Sequence, residues 1–111
     1  MPSVTQPRLH HLAVTVTDLD ASVAWYGSIF DVHPVLDVPH PGGVGKILAD
    51  SDRQLMIALH RHESNDRQQF SETTTGLDHA GFAVPPDEIS RPGRPTWSRT
   101  AWSVRSTPTS P

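Results

Sequence analysis

Between residues 9 and 17 apolar and small or polar side chains alternate: Leu12, Val14 and Val16 fall on one face, His11, Ala13 and Thr15 on the other. Period two predicts a strand with one apolar face. Asp18 then offers an N-cap, and Leu19, Val23, Tyr26 and Phe30 recur at spacings of 4, 3 and 4, predicting a helix over residues 19–30. Trp25 and Ile29 widen its apolar stripe. Residues 34–40 read as extended, Pro41-Gly42-Gly43 as a turn, and residues 46–49 as a short strand closed by the turn at Ser51-Asp52. Residues 54–60 alternate again, Leu55, Ile57 and Leu59 opposing Gln54, Met56, Ala58 and His60. The predicted order is β-α-β-β-β, an α+β class.

From 61 to 76 the chain is polar, with Phe70 its one large apolar residue, and reads as a linker. Such a length between elements marks either a functional loop or a junction of structural units. Residues 77–84, Leu-Asp-His-Ala-Gly-Phe-Ala-Val, then lie over residues 9–16, Leu-His-His-Leu-Ala-Val-Thr-Val, at an offset of 68 that aligns His79 with His11. A second copy of the first strand is expected here. Beyond it the composition changes: residues 1–84 carry 5 basic and 10 acidic side chains, residues 85–111 carry 4 and 2. The last 27 residues also contain 6 Pro, 5 Ser and 4 Thr, so residues 85–111 are expected to be an irregular, disordered or aberrant tail. Trp97 and Trp102 depart from that composition without forming a pattern.

A chain of 111 residues fits one small domain. Its net charge of −3 offers no basic field for phosphates, so nucleic acid is not an expected partner. The absence of cysteine removes disulfides, thiolate zinc sites, iron–sulfur clusters and a cysteine nucleophile, leaving nitrogen and oxygen to hold any metal. No apolar run approaches the ~18 residues of a membrane span, and the opening residues lack the regions of a signal peptide; a soluble, cytoplasmic protein is the expectation.

Strand parity puts His11, His79 and His60 on faces otherwise lined by small or polar side chains, the arrangement a divalent metal needs. A single strand histidine is more often a hydrogen-bonded neighbour of another strand, but equivalent placement in two repeats sets His11 and His79 apart. His62 is expected past its strand, and His10, His33 and His40 at the surface. Tyr26 and Trp25 read as helix packing, Asp18 as a cap, and Gly42-Gly43 lacks the flanking elements of a phosphate loop.

The stretch from His11 through Leu-Ala-Val-Thr-Val-Thr-Asp-Leu-Asp-Ala-Ser-Val-Ala-Trp to Tyr26, followed by Phe30, resembles the opening of the vicinal oxygen chelate superfamily. That superfamily includes glyoxalase I, bleomycin resistance proteins, extradiol dioxygenases and methylmalonyl-CoA epimerase. Residues 76–84 resemble the start of its second module. The resemblance implies a VOC-like domain over 8–84: a first βαβββ module at 9–60, a linker at 61–76, and the first strand of a second module at 77–84. It implies a divalent metal ion, Zn, Ni, Fe or Mn, held by first-strand and last-strand ligands of two modules paired in an open cup. His11 and His79 match the first-strand ligands. A glyoxalase-like alignment puts Ala58 at the usual Glu or Gln position of the last strand, which leaves His60 as the local candidate. The fourth ligand, a carboxylate that often doubles as the base, has no counterpart in the tail. A C-terminally truncated relative is therefore expected, with lyase, isomerase or ring-cleaving dioxygenase chemistry only if another chain, as in a homodimer through paired modules, completes the cup. The alternatives are a non-enzymatic protein that sequesters a small molecule, as in the bleomycin-resistance branch, and an inactive fragment.

Overall fold

The computed structural model describes residues 3–84 and the backbone of 101–104. The chain divides into two compact units, Met1–Gln68 and Gln69–Thr107, each described by itself. In the first unit the order is β1 (Leu12–Thr15), α1 (Leu19–Phe30), β2 (His33–His40), β3 (Gly43–Ala49) and β4 (Met56–His62). These strands form one sheet in the order β1-β4-β3-β2, with β1 parallel to β4 and the other pairs antiparallel. This is the β-α-β-β-β module expected from the sequence.

Helix α1 starts where the Asp18 side chain accepts the Ala21 backbone N–H at 3.0 Å. It ends where Asp31 enters the left-handed region at φ 54°, which reverses the backbone. Its buried residues are Leu19, Ser22 and Tyr26, so the stripe centres on Ser22 rather than on the half-buried Val23. They share the core with Val16, Val32, Leu48, Ile57 and Leu59. Alternation explains the set: Ile57 and Leu59 project from one face of β4, and Leu48, the register partner of Ile57, projects from the same face of β3. Burial lifts the Tyr26 phenol to about 12.

Strand boundaries differ from the sequence reading for local reasons. The N–H groups of Gln54 and Leu55 are taken by the Asp50 carboxylate, at 2.8 and 3.2 Å, and so stay in the turn. β4 therefore begins at Met56, and its pairing of His62 with Gly43 carries it two residues beyond His60. His62 is in the strand, not past it. β3 likewise starts at Gly43, because Pro41 and Gly42 alone make the turn, with Gly42 at φ +77° in the order a type II turn takes. β2 carries Pro34 and Pro39 at the sheet edge, where a missing N–H is tolerated, and its register shifts between Pro34 and Leu36.

In the second unit β5 (Ala80–Ala83) pairs antiparallel with β6 (Ala101–Val104). Residues 101–104 thus form a strand within the stretch expected to be irregular; the rest of that stretch, 85–100 and 105–111, lies outside the described residues. The repeat holds in three dimensions: β5 begins and ends 68 residues after β1 (80 − 12 and 83 − 15), and both alternate half-buried with exposed positions.

The hydroxyls of Thr17, Ser22 and Tyr26 are buried without a hydrogen-bond partner in the described protein. Tyr26→Phe removes one such group at nearly constant shape and is expected to raise stability by about 1 kcal/mol. Leu59→Ala, which leaves a cavity beneath α1, is expected to cost about 2–5 kcal/mol. Urea unfolding of the two variants beside the parent chain checks both signs.

Candidate functional site

Burial of Ile57 and Leu59 beneath α1 commits the alternate residues of β4, Met56, Ala58, His60 and His62, to the opposite face. Cross-strand register then assembles that face row by row. One row runs Val38, Gly45, His60, Thr15; the next runs His40, Gly43, His62. Together with Ala13 and Val14, Val38, His40, His60, His62 and Thr15 line a concavity of about 410 Å³. Its walls are apolar apart from three imidazoles and the Thr15 hydroxyl. A neighbouring polar concavity of about 330 Å³ shares Thr15 and His62 and adds Ser64, Asn65, Asp66 and Gln68.

The glycines of β3 make this cluster. A Cβ on Gly45 would lie 2.5 Å from Nδ1 of His60, and one on Gly43 would lie 2.5 Å from Cε1 of His40. Each ring lies over a glycine of the strand between β2 and β4, so the two imidazoles meet across β3. Nε2 of His40 and Nδ1 of His60 are 3.2 Å apart. Ring centroids stand at 5.2 Å for His40 and His60, 5.1 Å for His40 and His62, and 6.2 Å for His60 and His62. The proton order follows from the far end, where Nδ1 of His40 is 3.3 Å from the Pro41 carbonyl oxygen. A carbonyl only accepts, so His40 carries its proton on Nδ1, its Nε2 accepts from Nδ1–H of His60, and Nε2 of His60 keeps a lone pair. His40, expected at the surface, is half-buried in the concavity because Gly43 opposite it has no side chain.

The three sequence-derived candidates are placed differently. His60 is in the cluster. His11 precedes β1; extending the register sets it level with Met56, four residues from the Thr15 that pairs with His60, or about 13 Å along the strand. His11 and His60 share a face without touching. Ala58, at the position where relatives were expected to carry Glu or Gln, is buried beside Ala13. His79 belongs to the second unit, where it precedes β5 as His11 precedes β1. The parallel extends to their neighbours: Nδ1 of His11 is 2.9 Å from Nδ1 of His10, and Nδ1 of His79 is 2.7 Å from the Asp78 carboxylate. In both units the preceding side chain engages Nδ1; at His79 the carboxylate only accepts, so the neutral ring carries its proton on Nδ1 and keeps the Nε2 lone pair. His10 and His33 are exposed as expected, His33 3.4 Å from Asp31. Among the described residues, no three ligating side chains already surround a single point.

Burial first, and then the charges of His40, His62 and His11, hold His60 below the ordinary histidine range. The folded state thus resists protonation more than the unfolded chain does. The stability this carries is complete above the unfolded value near 6.5 and is lost as pH falls through it towards the lowered folded value. Urea melts between about pH 5 and 8 are expected to show stability declining on the acid side, with a shallower decline in His60→Gln.

A model of the Glyoxalase/Bleomycin resistance protein/Dioxygenase superfamily matches residues 8–96 of this chain. A solved glyoxylase/bleomycin resistance protein/dioxygenase domain from Frankia sp. EAN1pec is 28% identical, with a TM-score of 0.61 over 67% of this chain and 54% of the other. This chain therefore spans about half the length of the solved relative. The fosfomycin resistance protein FosX of Listeria monocytogenes is more distant: one crystal form is 19% identical over 64% of this chain and 54% of its own, with a TM-score of 0.43. A FosX mutant complexed with Mn(II) and 1S,2S-dihydroxypropylphosphonic acid is 16% identical over 74% and 62%, with a TM-score of 0.49. None of the curated proteins compared with the chain matches it. Among the described residues no helix is long and apolar enough to cross a membrane. With the β-α-β-β-β module, the repeated β1 and β5 and a family match over most of its length, the chain belongs to the Glyoxalase/Bleomycin resistance protein/Dioxygenase superfamily.

Proposed function

We propose that this chain binds a small molecule carrying adjacent oxygens through a divalent metal ion, Zn, Ni, Fe or Mn, with His11 and His79 as ligands; His60, the third candidate from the sequence, stands too far along its strand from His11 to share one ion with it in the same chain. The reading rests on one observation above all: His11 and His79 each precede a repeated strand, and each has Nδ1 held by the residue before it. At His79 the Asp78 carboxylate accepts from Nδ1–H, which fixes the ring and leaves Nε2 as the donor, the arrangement metal-bound histidines keep. The donor chemistry is compatible with such an ion, since neutral imidazoles suit borderline divalent metals. The metal would supply Lewis-acid polarisation of a bound carbonyl or hydroxyl oxygen. The chain's own part is to orient the imidazoles and to shelter the ligand against Ala13, Val14 and Val38. Lyase, isomerase or dioxygenase turnover additionally needs a carboxylate base, and among the described residues none lines this concavity. A second copy of the chain is the proposed source of a facing module that closes the cup. Leu36, on the face away from α1, is 57% exposed and offers apolar surface for that pairing.

Metal-free sequestration of a small molecule is the second reading, favoured by the mainly apolar lining of the concavity. Thermal melts of the full chain with Zn, Ni, Mn and Fe(II) in turn separate the two. Metal binding to the folded state is expected to raise the midpoint, by about 2.7 kcal/mol of stabilisation at a hundredfold excess over the dissociation constant. His11→Ala and His79→Ala are each expected to abolish the shift. A midpoint that no metal moves, together with retained small-molecule binding in both variants, would establish sequestration instead.

A further inference from the structure

The imidazoles gathered in the first unit form a hydrogen-bonded chain, and its direction decides what the concavity recognises. We propose that His60 offers the concavity a neutral acceptor, Nε2, for the hydroxyl of an uncharged, largely apolar molecule, and that His40 is the positioning residue that keeps it an acceptor. The inference rests on the reading of this concavity as a small-molecule pocket and needs no metal ion.

The chain begins at the Pro41 carbonyl oxygen, which only accepts and lies 3.3 Å from Nδ1 of His40. His40 therefore presents a lone pair at Nε2, and the 3.2 Å to Nδ1 of His60 is a hydrogen bond that His60 donates. A neutral ring carries one proton, so Nε2 of His60 is left as an acceptor, and it makes no hydrogen bond among the described residues. Hydrogen bonds that run in one direction polarise one another, which strengthens the acceptor at the end of the chain. Gly45 gives the ring its place: a Cβ there would fall 2.5 Å from Nδ1 and 2.6 Å from Cε1 of His60. A side chain at that position would displace the ring and break its bond to His40.

The surroundings of this acceptor select its ligand. The concavity of about 410 Å³ has the size of a small-molecule pocket, its walls include Ala13, Val14 and Val38, and among the described residues no Lys, Arg, Asp or Glu lines it. Burial first, and then the charges of His40, His62 and His11, keep His60 below the ordinary histidine range, so an anion entering at neutral pH meets a lone pair rather than a cation. An ether supplies acceptors only and would leave the His60 lone pair desolvated and unpaired, which costs more than the bond itself contributes. A hydroxyl donates to that lone pair. Its oxygen can in turn accept from the hydroxyl of Thr15, which also lines the concavity and is the register partner of His60.

Fluorescence titrations of the full chain in a metal chelator test this with 2-naphthol, a hydroxyl donor, 2-methoxynaphthalene, its ether, and 2-naphthoate, its anionic counterpart. 2-Naphthol is expected to bind about 10-fold more tightly than either of the others. The nitrogen NMR resonances of the unsubstituted chain are expected to show His60 as the Nδ1–H tautomer, with Nε2 shifting when 2-naphthol is added. His60→Phe keeps a ring without the acceptor and is expected to level 2-naphthol with its ether. His40→Phe is expected to do the same by freeing the His60 proton, whereas His40→Gln restores the preference through its amide oxygen, a rescue that a merely structural role for His40 would not produce. Circular dichroism establishes that each variant folds. Equal affinities for 2-naphthol and its ether in the unsubstituted chain overturn the inference and leave the pocket reading standing, while no binding of any of the three overturns both. Tighter binding of 2-naphthoate, or an Nε2–H tautomer at His60, overturns it by showing that the cluster donates. Failure of His40→Gln to rescue overturns the role of His40.

Discussion

The packing of α1 on one face of the sheet is the constraint on which the rest depends. Tyr26 and Leu19 are buried with Leu48, Ile57 and Leu59, and a strand that commits alternate residues to a helix has no freedom over the others. Shifting β4 by one residue would bury His60 and His62 under α1 and expose Ile57 and Leu59. The apolar core therefore fixes the side of the sheet on which the imidazoles stand, although no imidazole belongs to that core.

What the imidazoles do on that side is decided by β3. A strand between two histidine-bearing strands ordinarily keeps their rings apart with its own side chains. Here Gly43 and Gly45 pair with His62 and His60, and the rings of His40 and His60 lean inward until their nitrogens meet. The hairpin that brings His40 opposite Gly43 depends in turn on Pro41 and Gly42, the two residues that turn the chain between β2 and β3. Turn chemistry, register and glycine placement thus converge on one cluster. Each is a local feature, and only together do they make a pocket lined by three bases.

The repeated strand gives the molecule its second theme. β1 and β5 are related by the same offset that aligns His11 with His79, and both units hold the strand-preceding histidine by Nδ1. The partners differ chemically, an imidazole in the first unit and a carboxylate in the second. The two copies are thus alike in placement and unlike in the partner that each histidine meets.

The sequence by itself determined the β-α-β-β-β order, the limits of α1, the apolar faces of β1 and β4 and the duplication of the first strand. These rest on short-range periodicity and on caps and turns that neighbouring residues complete, as Asp18 does for α1. The tertiary structure decided which histidines meet. His40 and His60 are 20 residues apart and touch because β3 pairs with both of their strands and offers glycine beneath their rings. His11 and His60 share a face by parity yet stand apart, because a parallel register sets His60 opposite Thr15 and leaves His11 level with Met56. Register is a property of strand pairing, absent from the periodicity of any one strand, and it made a neighbour of His40 and a distant residue of His11.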